Sequence, residues 1–187
     1  MKTVLDEAAI TRALGRLAEL LKDRGAHGEI CLLGGTIMVL AFKARPATRD
    51  VDAIFHPAQL IRELAQEVER EHDLPENWLN DGAKGYISAT HTTTERDLPQ
   101  FDNLRIVAPT PEYLLAMKCM ASRIASEGGQ RSDVADIEFL IKHLGLTNAE
   151  DAMAIVQRYY PPERIPVRAQ YLLEDIFSQI QRGGNQK

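Results

Sequence analysis

The glycine pair Gly34-Gly35 separates two short apolar runs in the stretch CLLGGTIMVLAFKARPATRDVDAIF, residues 31–55. The run before the pair, residues 29–33, is typical of a buried strand. Residues 36–42 are apolar on nearly every side, which predicts a buried helix. A polar loop follows, and residues 50–55 are expected to form a second strand. This succession of strand, helix and strand indicates an α/β protein.

The remaining sequence predicts further helices around this unit and a helical second half. Amphipathic helices are expected at residues 4–24 and 57–71, and strands at residues 86–90 and 104–108, with residues 92–94 in a loop. In the second half, Thr110 as N-cap and Pro111 at the first helical position predict a helix running to about Ser126. Ser132 is expected to cap a second helix that ends at Gly145, and Thr147 and Glu150 form a capping-box pattern for a third. A last helix is expected at residues 167–181. We therefore predict an α/β (α+β) fold with a mixed sheet flanked by helices at residues 1–108. A helical half, residues 109–187, is expected to pack on it as one compact unit.

Composition excludes several classes of protein. With 44% hydrophobic and 26% charged residues, the chain resembles an ordinary soluble globular protein, and no stretch is long and apolar enough for a membrane span. The net charge of −5 disfavours sequence-independent binding of nucleic acid over a broad surface, which normally requires a basic face. Cys31 and Cys119 lie in apolar runs, as buried thiols of a reducing cytoplasm do, and the five histidines lack metal-ligand spacing. We expect a cytoplasmic protein with no membrane contact.

Two aspartates, Asp50 and Asp52, flank a valine at the start of the second predicted strand. Residues two apart on a strand project from the same face, so their carboxylates repel each other unless a cation lies between them. Mg²⁺ commonly binds through one or two carboxylates together with substrate phosphates. The alternative is that the two acids cap the strand or pair with Arg45 and Arg49 at the surface.

The turn Gly34-Gly35-Thr36 precedes the predicted buried helix directly. Glycine lets a ligand approach the backbone closely, and a helix N-terminus offers unpaired N–H groups to phosphate oxygens. Arg49 could contact the same phosphates or offset local negative charge. The alternative is a tight turn in which Thr36 is an ordinary N-cap. Together, the turn and the two acids supply what phosphoryl-type transfer requires, which is positioning and charge neutralisation.

A lysine and an aspartate fall on the apolar faces of consecutive predicted helices. In helical projection Lys118 lies within the apolar stripe of its helix, Asp133 lies within that of the next, and Asp136 lies on the border of the stripe. Buried charges are unfavourable unless they are paired or serve a ligand. A structural salt bridge between Lys118 and Asp133 is one interpretation, and a ligand site is the other.

The motif LLGGT…TRDVDAIF resembles the signature of the nucleotidyltransferase superfamily. Together with RPATRDVD, LLAMK and SDVADI, it is similar to small bacterial AbiEii-like proteins of abortive-infection and toxin–antitoxin systems. The resemblance implies transfer of a nucleoside monophosphate from NTP and Mg²⁺ to an acceptor, either RNA such as tRNA or a protein hydroxyl, and a cognate toxin or antitoxin partner. It further implies that Asp50 and Asp52 hold the metal and that Lys118 neutralises the triphosphate. Asp133 would orient Lys118 or accept a proton.

Several features leave other interpretations open. Many members of that superfamily carry a third acid on a later strand, whereas residues 104–108 offer none and Asp102 is the nearest candidate. A non-catalytic nucleotide-binding or antitoxin module of the same fold is therefore the alternative function. Trp78, Asn80 and Lys84 could line a pocket, or Trp78 could belong to the core. A helix-turn-helix DNA binder at residues 110–145 is disfavoured because no basic recognition helix is evident.

Overall fold

The computed structural model describes residues 4–122 and 130–184, which form two compact units. The first unit comprises Met1–Gly85 and Thr93–Pro109, and the second comprises Tyr86–Thr92 and Thr110–Lys187. Within the described residues, no helix combines the length and the apolar character that crossing a membrane requires.

A five-stranded mixed sheet organises the first unit. In chain order the helices and strands of the first unit are β1 (Leu5–Asp6), α1 (Glu7–Asp23), β2 (Gly28–Leu32), α2 (Gly34–Leu40), β3 (Ala47–Thr48), β4 (Val51–His56), α3 (Ala58–His72), β5 (Leu79–Asn80), β6 (Thr93–Thr94) and β7 (Leu104–Pro109). The strand order is β5-β4-β2-β7-β6. β2 runs antiparallel to β4 and parallel to β7, β4 is parallel to β5, and β6 is antiparallel to β7. β1 and β3 form a separate antiparallel pair.

Helices α1 and α3 cover one face of this sheet. Alternate strand residues such as Ile30, Leu32 and Val51 are fully buried on that face. A methyl group at Gly28 would lie 2.9 Å from a methyl carbon of Leu21 on α1 and 3.1 Å from one of Ile61 on α3. Glycine at this position therefore allows both helices to pack closely on the start of β2.

The second unit is helical, with α4 at its centre. Its helices are α4 (Pro111–Ala121), α5 (Gln130–His143), α6 (Ala149–Tyr159) and α7 (Val167–Gly184). Every residue of α4 from Tyr113 to Met120 is buried, and the helix contacts α5, α6 and α7. The segment Tyr86–Thr92 attaches to the helices through hydrogen bonds, because the Tyr113 hydroxyl accepts from the Ser88 N–H at 2.9 Å and the Tyr160 hydroxyl donates to the carbonyl of Tyr86.

The predicted α/β class is confirmed, with a mixed sheet followed by a helical half, but several local predictions were wrong. Residues 86–90 form no strand, since Tyr86 ends a 3₁₀ turn and the Ser88 N–H bonds to Tyr113 of α4, whereas Thr93–Thr94 is a strand. The cap of α6 is Asn148, whose side chain accepts from the Asp151 N–H at 2.8 Å, and not Thr147. Ser132 lies inside α5 and not at its cap. The predicted helix end at Ser126 lies outside the described residues.

Candidate active site at the glycine turn

The glycine turn after β2 lies directly against the carboxylate of Asp52. The Leu33 N–H donates to the Asp52 carbonyl at 2.8 Å, which ties the turn to β4. Gly34 has a φ of +60°, a region that favours glycine. A methyl group at Gly34 would lie 2.7 Å from Oδ2 of Asp52. Both the backbone conformation and the approach of the carboxylate therefore require glycine at this position.

The next two residues of the turn lie close to the segment that leads into β4, which includes β3. A methyl group at Gly35 would lie 2.9 Å from Oγ1 of Thr48 and 3.2 Å from Nη1 of Arg45. Thr36 has no exposed surface, and its hydroxyl donates to the carbonyl of Asp50 at 3.3 Å. The N-cap of α2 is Leu33, so Thr36 is not the cap of this helix. Its hydroxyl instead helps to fix the backbone of Asp50.

Asp50 lies one residue before β4, on the same side as Asp52. Its Oδ2 accepts a hydrogen bond from the Asn80 amide at 3.2 Å, and Asn80 is the register partner of Asp52 on the parallel strand β5. Register partners share a face of the sheet, so Asn80 and Asp52 project together, and the bond brings Asp50 to them. Within the described part of the chain Asp50 has no cationic partner, and the exposed Arg49 forms no ion pair or hydrogen bond through its side chain.

In the part of the chain that the structure describes, a third acid does not join this pair. Among residues 4–122 and 130–184, no group of three or more acidic, histidine or cysteine side chains is arranged to hold a metal ion. β2 and β7 run parallel with Gly28 opposite Leu104, so Asp102 lies near the start of β2. β2 and β4 run antiparallel, and Asp52 lies near the end of β2. The five residues of β2 separate these two positions by about 13 Å along the strand. Asp102 therefore cannot complete the site, contrary to its place as nearest candidate in the sequence.

Lys118 lies in the second unit, between two aspartates of α5. Its Nζ lies 2.5 Å from Oδ2 of Asp136 and 3.4 Å from Oδ1 of Asp133. Lys118 and Asp136 are 8% and 2% exposed, whereas the Asp133 side chain is about one-third exposed. The closer partner is thus Asp136, which sequence reasoning placed on the border of the apolar stripe. Asp136 follows Asp133 by three residues, so the two side chains lie on the same side of the helix, and this spacing could have indicated Asp136 as a partner of Lys118.

The remaining candidates in the first unit have structural roles. Trp78 is 1% exposed, and its ring N–H donates to the carbonyl of Ala65 at 3.0 Å, so Trp78 belongs to the core and does not offer a stacking surface. Lys84 pairs with Asp81, which also accepts from Arg62 at 2.5 Å. Hydrogen bonds from Lys84 and then Arg62 hold the pKa of the Asp81 carboxyl below its ordinary value.

Neither cysteine is suited to act as a nucleophile. Burial raises the pKa of Cys31 to about 11 and that of Cys119 to about 12. Both thiols are therefore protonated near neutral pH, and the thiolate is the reactive form.

Comparison with known proteins assigns no family to the chain. No family model matches it, and no curated protein matches it either. Among solved structures, the crystal structure of an antigenic nucleotidyltransferase-like protein from Paracoccidioides brasiliensis is similar with a TM-score of 0.46 and 14% sequence identity. That similarity covers 91% of this chain and 95% of the other.

Proposed function

We propose that this protein is a nucleotidyltransferase that moves a nucleoside monophosphate from NTP and Mg²⁺ to a hydroxyl acceptor. In this reaction the acceptor oxygen bonds to the α-phosphorus, the bond from that phosphorus to the pyrophosphate oxygen breaks, and the acceptor proton passes to a base. The observation that carries the proposal is the contact of the Asp52 carboxylate with the turn at Gly34, with Asp50 held on the same side.

Asp50 and Asp52 are the residues that would hold the divalent cation. The donor set fits Mg²⁺, because hard cations prefer carboxylate oxygens and Mg²⁺ often takes one or two of them plus substrate phosphates. Among the described residues Asp50 accepts a hydrogen bond from the neutral Asn80 amide and from no cationic side chain, so its charge is not cancelled. When bound, the ion would neutralise charge on the phosphate oxygens during transfer.

Positive charge beside the half-buried glycine turn supports binding of the triphosphate there. The guanidinium of Arg45 reaches Gly35, next to the contact between Gly34 and Asp52. Arg49 is exposed and available to a phosphate. Thr36 supports the site by holding the backbone of Asp50. The proposed nucleotide-binding region therefore consists of Gly34, Gly35 and Arg49, with Thr36 as support. Phosphate recognition relies on N–H donors of the backbone and on charged donors such as arginine.

The resemblance adds Lys118 and Asp133 to the proposal. Lys118 would steady the triphosphate, and Asp133 would orient Lys118 or accept the proton of the attacking hydroxyl. The greater exposure of Asp133 and its longer distance to Lys118 support this division, in which the buried Asp136 anchors the lysine. We propose RNA such as a tRNA end, or a hydroxyl of a partner protein, as acceptor, within a toxin–antitoxin pair in the cytoplasm.

A non-catalytic nucleotide-binding or antitoxin module is the second candidate function. The observation that favours it is the absence of a third acid beside Asp50 and Asp52 in the described part of the chain, since two-metal transfer sites use more ligands than two carboxylates supply.

Incubation with each NTP labelled at the α-phosphate, Mg²⁺ and total RNA or cell protein separates these functions. The proposal expects label on an acceptor, loss of that label in Asp52→Ala, and retention in the matched control Asp102→Ala, which removes an exposed acid at the other end of the sheet. Thermal stabilisation by nucleotide without any label transfer would favour the binding module and contradict the enzyme.

A further inference from the structure

The side chain of Asn80 is fixed by two hydrogen bonds that use both ends of its amide. Its Nδ2 donates to Oδ2 of Asp50 at 3.2 Å, and its Oδ1 accepts from the Gly82 N–H at 3.0 Å. Because the Gly82 N–H can only donate, it sets which end of the amide is the oxygen. The NH₂ group is therefore the end that faces Asp50.

The core of the first unit holds Asn80 in place. The Val51 N–H donates to the carbonyl of Trp78 at 2.6 Å, and Leu79 and Asn80 then pair in register with Val51 and Asp52. Trp78 is itself buried and bonded to the carbonyl of Ala65. The position of the amide relative to β4 thus depends on packed residues and not on a free loop.

Asp50 needs such support because it lies outside the strand. Its backbone carbonyl accepts from Thr36, and among the described residues the Asn80 amide is the hydrogen-bond donor to its carboxylate. A lysine or arginine in place of Asn80 would orient the carboxylate but would also neutralise it. A neutral amide restrains the carboxylate and leaves its full negative charge for a cation.

We infer that Asn80 is a positioning residue that fixes the Asp50 carboxylate for cation binding. The inference rests on the proposed function, in which Asp50 and Asp52 hold the metal. Partners of this kind around metal ligands typically change metal affinity by about 10- to 100-fold when they are removed.

Binding of Mn²⁺ to the full chain, followed by electron paramagnetic resonance without nucleotide, tests this inference directly. Mn²⁺ takes the same oxygen ligands as Mg²⁺. We expect Asn80→Ala to weaken Mn²⁺ binding by about tenfold or more. The matched control is Asn103→Ala, because Asn103 is also half-buried and its amide donates one bond, to the carbonyl of Ala26 at 3.0 Å, near the other end of the sheet. Mn²⁺ affinity should not change in that variant.

Asn80→Ser provides a second variant in case Asn80→Ala does not fold. Serine keeps a short acceptor for the Gly82 N–H but cannot reach Asp50 as the amide does, so the same loss of Mn²⁺ affinity is expected. Wild-type affinity in whichever Asn80 variant folds would overturn the inference while leaving the proposed function intact. Absence of Mn²⁺ binding by the wild-type chain, or binding unaffected by Asp52→Ala, would overturn both.

Discussion

The contact between Gly34 and Asp52 predicts an unusually large effect of a single methyl group. Gly34→Ala places a Cβ atom in a backbone conformation with φ of +60° and 2.7 Å from Oδ2 of Asp52. An alanine in the left-handed region is disfavoured by about 1–2 kcal/mol. Displacement of a packed neighbour adds about 1–3 kcal/mol. We therefore expect a loss of about 2–5 kcal/mol in the free energy of unfolding.

Gly25→Ala is the matched control for this prediction. Gly25 has a φ of +62°, and a methyl group there would meet nothing within 4 Å. It should lose only the backbone contribution of about 1–2 kcal/mol. The difference between the two variants therefore measures the collision with Asp52.

Urea unfolding followed by tryptophan fluorescence suits this comparison, because Trp78 is the single tryptophan and lies buried in the same unit as both glycines. With a slope on the order of 2 kcal/mol per molar urea, Gly25→Ala should lower the midpoint by about 0.5–1 M and Gly34→Ala by about 1–2.5 M. In an Asp52→Ala background, Gly34→Ala should fall to the Gly25→Ala value. Equal effects of the two glycine variants, or no relief in that background, would refute the proposed contact.

Three further predictions concern Lys118, Cys31 and Trp78. Lys118→Met removes the ion pair of the buried Asp136 with Lys118, so the free energy of unfolding measured by circular dichroism should fall by about 3–5 kcal/mol. Asp133→Asn should change it by less than about 1 kcal/mol, and equal losses would contradict Asp136 as the closer partner of Lys118. Because burial raises the pKa of Cys31 to about 11, its alkylation should be slow at neutral pH and accelerate as the pH approaches that value, and a rate that is already maximal near neutrality would contradict it. Trp78→Phe removes the hydrogen bond to Ala65, worth about 1 kcal/mol, and leaves a cavity beside the smaller ring. We therefore expect thermal unfolding to show a loss of more than about 1 kcal/mol, and a neutral result would contradict the buried, hydrogen-bonded position of Trp78.

The central unit of the fold was predictable from the sequence because its signals are local. The two apolar runs around Gly34-Gly35 and the run at residues 50–55 predict β2, α2 and β4 with boundaries shifted by one or two residues. Strand alternation also predicts that Asp50 and Asp52 project from one side of the strand. Roles that depend on a hydrogen-bond partner elsewhere in the chain were not predictable in this way. Thr36 is the example, since a hydroxyl in a glycine turn gives no indication that it will bond to Asp50.

Errors arose where tertiary contacts override local pattern. Residues 86–90 are predicted to form a strand, but the Ser88 N–H bonds to the Tyr113 hydroxyl and the Ser88 hydroxyl bonds to the carbonyl of Tyr159. Ser88 therefore bonds to the helical part of the chain and not to a neighbouring strand. Asp136 lies at the edge of a helical projection, and its ion pair with Lys118 on α4 is a tertiary contact that the projection does not show. The position of Asn80 likewise depends on the pairing of β5 with β4, and a strand of only two residues gives no recognisable pattern in the sequence.

The position of the transferred phosphorus tests the central claim most directly. Purified protein is incubated with Mg²⁺, the acceptor fraction and the same NTP labelled either at the α- or at the γ-phosphate. Nucleotidyl transfer predicts that α-label appears on the acceptor, that γ-label leaves in pyrophosphate, and that Asp50→Ala and Asp52→Ala each abolish both events. Transfer of γ-label to the acceptor, or α-label transfer that persists in both variants, would contradict the proposed role of the two aspartates at the glycine turn.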